Sequence, residues 1–222
     1  MTFKKHILKF YKDLSPDWKL PKGIDLIYPL ENKQVLKFMN AFYTKYYDDK
    51  NKRYFLFGIN PGRLGAGVTG IPFTDPVHLE SFCEIENDLK KKHELSSIFI
   101  YDMINTYGGI ENFYSKYYIS SVCPLGFTKD NKNYNYYDSK ELTAAVEDKI
   151  IQAIEIQISK FCNREEAFSL GQGKNYKYLA KLNEKHEWFE KVTPLPHPRW
   201  IMQYKLKTKD VYLDEFMQKL KY

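Results

Sequence analysis

Residues 53–59 read Arg-Tyr-Phe-Leu-Phe-Gly-Ile and then break into Asn60-Pro61-Gly62. A near-continuous apolar run of this length is what a strand needs when both of its faces are covered, as inside a parallel sheet. Proline and glycine then impose a turn, so the strand ends at the asparagine. Residues 117–123, 166–170 and 190–195 carry weaker strand patterns. Helical patterns separate them. In residues 139–161, Leu142, Val146, Ile150, Ile154, Ile158 and Phe161 recur at spacings of three or four, and Asp138 followed by Glu141 resembles a capping box. Residues 32–47, 77–92, 174–184 and 211–220 read as further helices. The N-terminal stretch reads as an amphipathic helix with Phe3, Ile7 and Phe10 or Tyr11 on one face.

Strands alternating with helices predict an α/β fold, a three-layer α/β/α sandwich around a central four-stranded, mainly parallel sheet. The length of 222 residues suits one domain, residues 1–222. In such sheets ligands bind beyond the carboxyl ends of the strands. The segments to interrogate are therefore 60–73, 121–127, 171–174 and 196–200.

Composition narrows the function. No apolar run approaches the roughly 20 residues of a membrane span, and the lysine-rich N-terminus lacks an apolar leader core, so cytoplasmic residence without a membrane partner is expected. Cys83, Cys123 and Cys162 are widely spaced with no C-x-x-C pair, which argues against a disulfide framework, a zinc site or an iron–sulfur cluster. The formal net charge is +6. Residues 171–222 hold 11 Lys/Arg against 6 Asp/Glu, whereas the preceding 170 residues hold 23 against 22. A solvated lysine-rich surface and a phosphate-facing surface both fit that excess.

The loops carry the chemistry. Asn60, fixed by Pro61 and Gly62, has an amide able to accept a hydrogen from a water, though not to act as a strong base. A turn that satisfies its own backbone is the plainer alternative. Glycines at 62, 65, 67 and 70 match neither a dinucleotide fingerprint nor a Walker loop. Phe73 suits a core position or a face against which a planar ligand stacks.

The stretch "GINPGRLGAGVTGIPF" (58–73) resembles the first motif of the single-strand-selective monofunctional (SMUG) branch of the uracil-DNA glycosylase superfamily. The match includes the separation of its asparagine and phenylalanine. "SSVCPLGF" (120–127) is similar to that family's N-x-C-P-L segment, "LGQGK" (170–174) to its strand-to-helix glycine loop, and "PLPHPRW" (194–200) to its H-P-S-P-R motif. The four fall in family order. The resemblance implies a monofunctional DNA glycosylase of base excision repair, acting without metal or other cofactor, as a monomer, on a base flipped out of single- or double-stranded DNA. It implies that Asn60 holds the attacking water and that Phe73 stacks on the base. Gly62 would leave room at the pyrimidine C5, and His197 would donate to the departing base. Lys174, Arg199 and Trp200 would contact DNA, the last two as the wedge, with Lys205, Lys207 and Lys209 along the backbone. For Trp200 a packing contact with the C-terminal helix is the alternative, and for residues 130–138 nucleic-acid contact and a plain surface loop are both open.

Two departures are visible. Ser121 stands where the family places a base-reading asparagine, and a rotating hydroxyl discriminates less than a fixed amide, which admits deaminated purines as substrates. The histidine motif is two residues shorter, and matching histidine to histidine keeps the group able to do the chemistry. A non-catalytic nucleic-acid-binding module on the same fold is the competing reading.

Overall fold

The computed structural model describes residues 1–158 and 161–220. The chain enters as α1 (Phe3–Asp13), followed by β1 (Asp25–Ile27), α2 (Lys33–Tyr47) and β2 (Arg53–Gly58). The glycine-rich segment holds α3 (Ala66–Thr69) and leads into α4 (Pro76–Ser81), α5 (Leu95–Thr106) and α6 (Ile110–Lys116). Strands β3 (Tyr117–Ser121), β4 (Gly126–Lys129) and β5 (Lys132–Tyr134) precede α7 (Lys140–Gln157). The chain closes with β6 (Cys162–Leu170), α8 (Lys174–His186), β7 (Lys191–Leu195), α9 (Pro198–Tyr204) and α10 (Lys209–Lys219).

The central sheet has the order β3-β2-β6-β7 and every pairing in it is parallel. Phe55, Leu56 and Phe57 are all fully buried although successive side chains point to opposite faces, so helices cover the sheet on both sides. The α/β/α sandwich expected from the sequence is therefore the architecture found. Phe3, Ile7, Phe10 and Tyr11 are buried from α1, as its amphipathic pattern predicts. The three cysteines are buried and free, and burial raises each thiol, Cys83 and Cys162 to about 12. No helix among the described residues is long and apolar enough to cross a membrane.

Three local expectations need correction. The helix expected over 77–92 stops at Ser81, and Glu84 takes a left-handed φ of 56°, which no α-helix accommodates. The cap of α7 is Ser139, whose hydroxyl accepts from Leu142 N–H at 3.2 Å, rather than Asp138. Strand β6 begins at Cys162, four residues before the expected start. Its pairing with β2 shifts register between Arg53 and Phe55, and the polar 163–166 stretch hides the extension in sequence. The expected C-terminal end of α7 falls partly on residues 159–160, outside the described residues.

A second, small antiparallel sheet, ordered β1-β4-β5, escaped the sequence reading. Its signal was present. Asp130 and Asn131 form a two-residue connection with φ of 50° and 57°, the conformation that tight hairpin turns require and that Asp and Asn tolerate. This hairpin carries residues 132–135 to the end of the central sheet where the site lies.

Candidate active site

The loop after β2 places Asn60 with both ends of its amide engaged. Oδ1 accepts from Tyr136 N–H at 3.2 Å, and Nδ2 donates to Tyr134 O at 3.3 Å. The side chain is thereby held against the β5 connection. Each amide oxygen has two lone pairs, so Oδ1 keeps one for a water.

Phe73 sits at the end of the same segment with φ of 54°. For a bulky residue this conformation is strained, by on the order of 1–3 kcal/mol, and persists only where the surroundings enforce it. Thr69 does so: its hydroxyl donates to Thr74 O at 2.6 Å and accepts from Ile71 N–H at 3.2 Å. The ring rests on the end of β2, where a Cβ on Gly58 would meet Phe73 Cε2 at 2.7 Å. A side chain at residue 58 would dislodge the ring.

His197 caps α9. Its Nδ1 accepts from Arg199 N–H at 3.1 Å, which assigns the ring proton to Nε2. Burial, and after it the charge of Arg199, lower its pKa from 6.5 to about 4. The imidazole is a neutral donor at pH 7. Gly171, with φ of 128°, lies beside it: a Cβ there would stand 3.8 Å from His197 Cδ2. That is an ordinary contact distance, so it is the positive φ of residue 171 and not crowding by the histidine that calls for glycine there.

A cavity of about 640 Å³ opens between these loops, and Asn60, Gly62, Phe73, His197, Arg199 and Trp200 all line it. The Phe73 and His197 rings are neighbours at the cavity, their centroids 6.2 Å apart and their planes tilted by 49°. Trp200 packs edge-on to Tyr212 of α10 at 5.8 Å, the packing contact weighed for it, and is 41% exposed at the cavity. Two expected residues are not brought to this cavity. Ser121 is buried at the end of β3 and faces a recess of only about 20 Å³ bounded by Pro61 and Pro72. Lys174 is exposed at the start of α8, its ammonium 5.7 Å from the centre of the Tyr137 ring.

The cavity also recruits residues that sequence reasoning passed over: Arg63, Glu94, Ser96, Gln203 and Tyr204. The β4–β5 hairpin adds Lys132 and Asn133, with Asn135 just beyond it. Asn133 accepts from Arg63 N–H through Oδ1 at 3.1 Å, clamping the hairpin to the glycine segment. The stretch 130–138 is therefore part of the cavity wall.

The family model described as the uracil DNA glycosylase superfamily matches residues 44–221. A solved structure of wild-type SMUG2 from Pedobacter heparinus is 48% identical to this chain, with a TM-score of 0.95 over 98% of this chain and 96% of that one. No curated protein matches.

Proposed function

The chain belongs to the uracil DNA glycosylase superfamily, and we propose that it is a monofunctional DNA glycosylase that excises uracil or a related deaminated base by hydrolysing the N-glycosidic bond. One observation carries the reading. Asn60, Phe73 and a neutral His197 with its proton on Nε2 border the same cavity.

In this reading the flipped base stacks on Phe73, and the unstacking cost of a few kcal/mol is recovered in the cavity. As the glycosidic bond lengthens, negative charge gathers on the base, and Nε2–H of His197 donates to its carbonyl oxygen. A preorganised donor of this kind contributes most where the charge develops. Asn60 holds the water through the free lone pair of Oδ1. Arg199 and Trp200 fill the space left in the helix, while Lys132, Arg63 and the C-terminal lysines meet phosphates. Lys174 is kept as a more distant phosphate contact, and Ser121 reaches the base only if its recess opens. No lysine is assigned as a nucleophile, so the product is an abasic site without strand incision.

Oligonucleotides carrying uracil, hypoxanthine or xanthine, single- and double-stranded, test this directly. Alkali-labile sites after incubation, and intact strands before alkali, are the expected result. Tight binding with no abasic product for any lesion would leave a binding module instead.

A further inference from the structure

Among the described residues that line the cavity, Glu94 is the one acidic side chain, and it shares the space with Arg63, Lys132 and Arg199. It occupies the N-cap position of α5 yet makes no capping bond with its side chain. Its backbone is fixed independently. Glu94 N–H donates to Asp75 Oδ2 at 2.8 Å, and the fully buried Asp75 caps α4 through Val77 and His78 N–H. The side chain turns instead over the glycine-rich loop. A Cβ on Gly65 would lie 2.0 Å from Glu94 Oε2, and one on Gly62 would lie 3.5 Å from Oε1. Gly65 thus leaves free the volume that the carboxylate occupies, three residues beyond the Asn-Pro-Gly turn. No hydrogen bond or ion pair from the described residues engages its oxygens, and burial raises its pKa, against the opposing charge of Arg199.

A half-buried carboxylate with no hydrogen-bond partner among the described residues is costly to keep. In a cavity built for a polyanion it also repels the ligand. The part of the ligand it complements is the sugar ring, which turns cationic as its bond to the base breaks. Interactions made in the transition state and not in the ground state are those that accelerate a reaction.

We propose, on the footing of the glycosylase reading above, that Glu94 is a catalytic carboxylate facing the deoxyribose of the flipped nucleotide. It stabilises the positive charge at C1′ and accepts a proton from the attacking water. The water oxygen bonds to C1′ as the C1′–N bond breaks, and the bonding pair leaves with the base. The water proton passes to the Glu94 carboxylate and on to solvent, while the base anion, held by His197 Nε2–H, takes its proton from solvent. Asn60 then orients the water, and Glu94 supplies the charge that an amide lacks.

The test compares wild type with Glu94→Gln, a neutral side chain of the same shape, by single-turnover release from an oligonucleotide carrying a deaminated base that wild type excises, and by anisotropy for affinity. Release about 100-fold slower, with affinity unchanged or tighter, is the expected result. Glu94→Asp keeps the charge, shortens its reach, and should lose less than the glutamine variant. A Glu94→Gln rate within about threefold of wild type overturns the proposal, as does a parallel loss of rate and affinity in both variants. If wild type releases no base from any of the oligonucleotides, the glycosylase reading falls first and this one with it. An active wild type with an equally active glutamine variant removes Glu94 alone.

Discussion

The phenol of Tyr136 donates a 2.9 Å hydrogen bond to Asn175 Oδ1, while its main-chain N–H donates to Asn60 Oδ1 at 3.2 Å. Asn175 in turn gives its amide hydrogens to Phe57 O, Gly58 O and Ser169 Oγ. The carboxyl end of β2 is thus tied through Asn175 and Tyr136 to the amide that β2 delivers into the cavity. Buried polar networks of this kind fix geometry because each member left unpaired is penalised.

Tyr136→Phe should therefore act on both stability and rate. The lost phenol leaves a buried amide oxygen without its partner, at a cost of about 1–3 kcal/mol. Thermal melting should show that loss. Single-turnover base release should slow by about tenfold with little change in DNA affinity, since the asparagine is loosened and no DNA contact is removed. Weakened binding at an unchanged rate would assign Tyr136 elsewhere.

In the proposed glycosylase reading, Asn60→Ala removes the water's anchor and leaves the phosphate contacts in place. Base release should drop by about 100-fold or more while the oligonucleotide still binds. A variant as active as wild type takes the water away from Asn60.

His197 sets a pH prediction. Its folded pKa of about 4 lies below the ordinary 6.5, so between those values the unfolded chain binds a proton that the folded chain refuses. Stability contributed at this residue is complete above about pH 6.5 and declines as the pH falls toward 4. Melting temperatures recorded across that window should fall less for His197→Gln than for wild type. Base release by His197→Ala should drop by about 100-fold or more at neutral pH, the scale for losing one donor to a developing anion.

Ser121 separates two accounts of base reading. Since it faces the small recess behind Pro61 and Pro72, Ser121→Ala should keep base release within about threefold of wild type for uracil and xanthine alike. A selective loss for one base means that the recess opens when DNA binds. In that case Ser121→Asn should shift preference toward uracil.

Arg53 is a matter of stability alone. It is fully buried at the start of β2, bonded to both oxygens of Asp49 at 2.7 and 2.6 Å and to the carbonyls of Tyr114, Tyr46 and Asn51. The rings of Tyr47 and Phe3 lie 4.8 and 5.2 Å from its guanidinium carbon. Arg53→Met strands those acceptors and should cost about 3–5 kcal/mol in denaturant unfolding, with activity intact at low temperature. A loss below about 1 kcal/mol would mean that the guanidinium is replaceable by packing.

What the sequence determined by itself is local or periodic. The apolar run at 53–59 required a strand covered on both faces, the three-to-four spacing from Leu142 required a helix, and Asn-Pro-Gly required that a polar side chain end the strand. Loops that follow parallel strands then had to gather at one end of the sheet, which is why Asn60, Phe73 and His197 were legible from 137 residues apart in the chain (60 to 197). Tertiary structure decided what depends on distance between segments that share no period. Glu94 lay in a stretch that reads as solvated charge, and only folding brings it onto Gly65 and into the cavity. The β4–β5 hairpin became a wall because Asn133 Oδ1 accepts from Arg63 N–H and Tyr134 O accepts from Asn60 Nδ2, while Ser121, paired with Gly58 at the end of β3, is buried beside a separate recess. A side chain's type travels with the sequence, whereas the field it experiences is set by its neighbours in space.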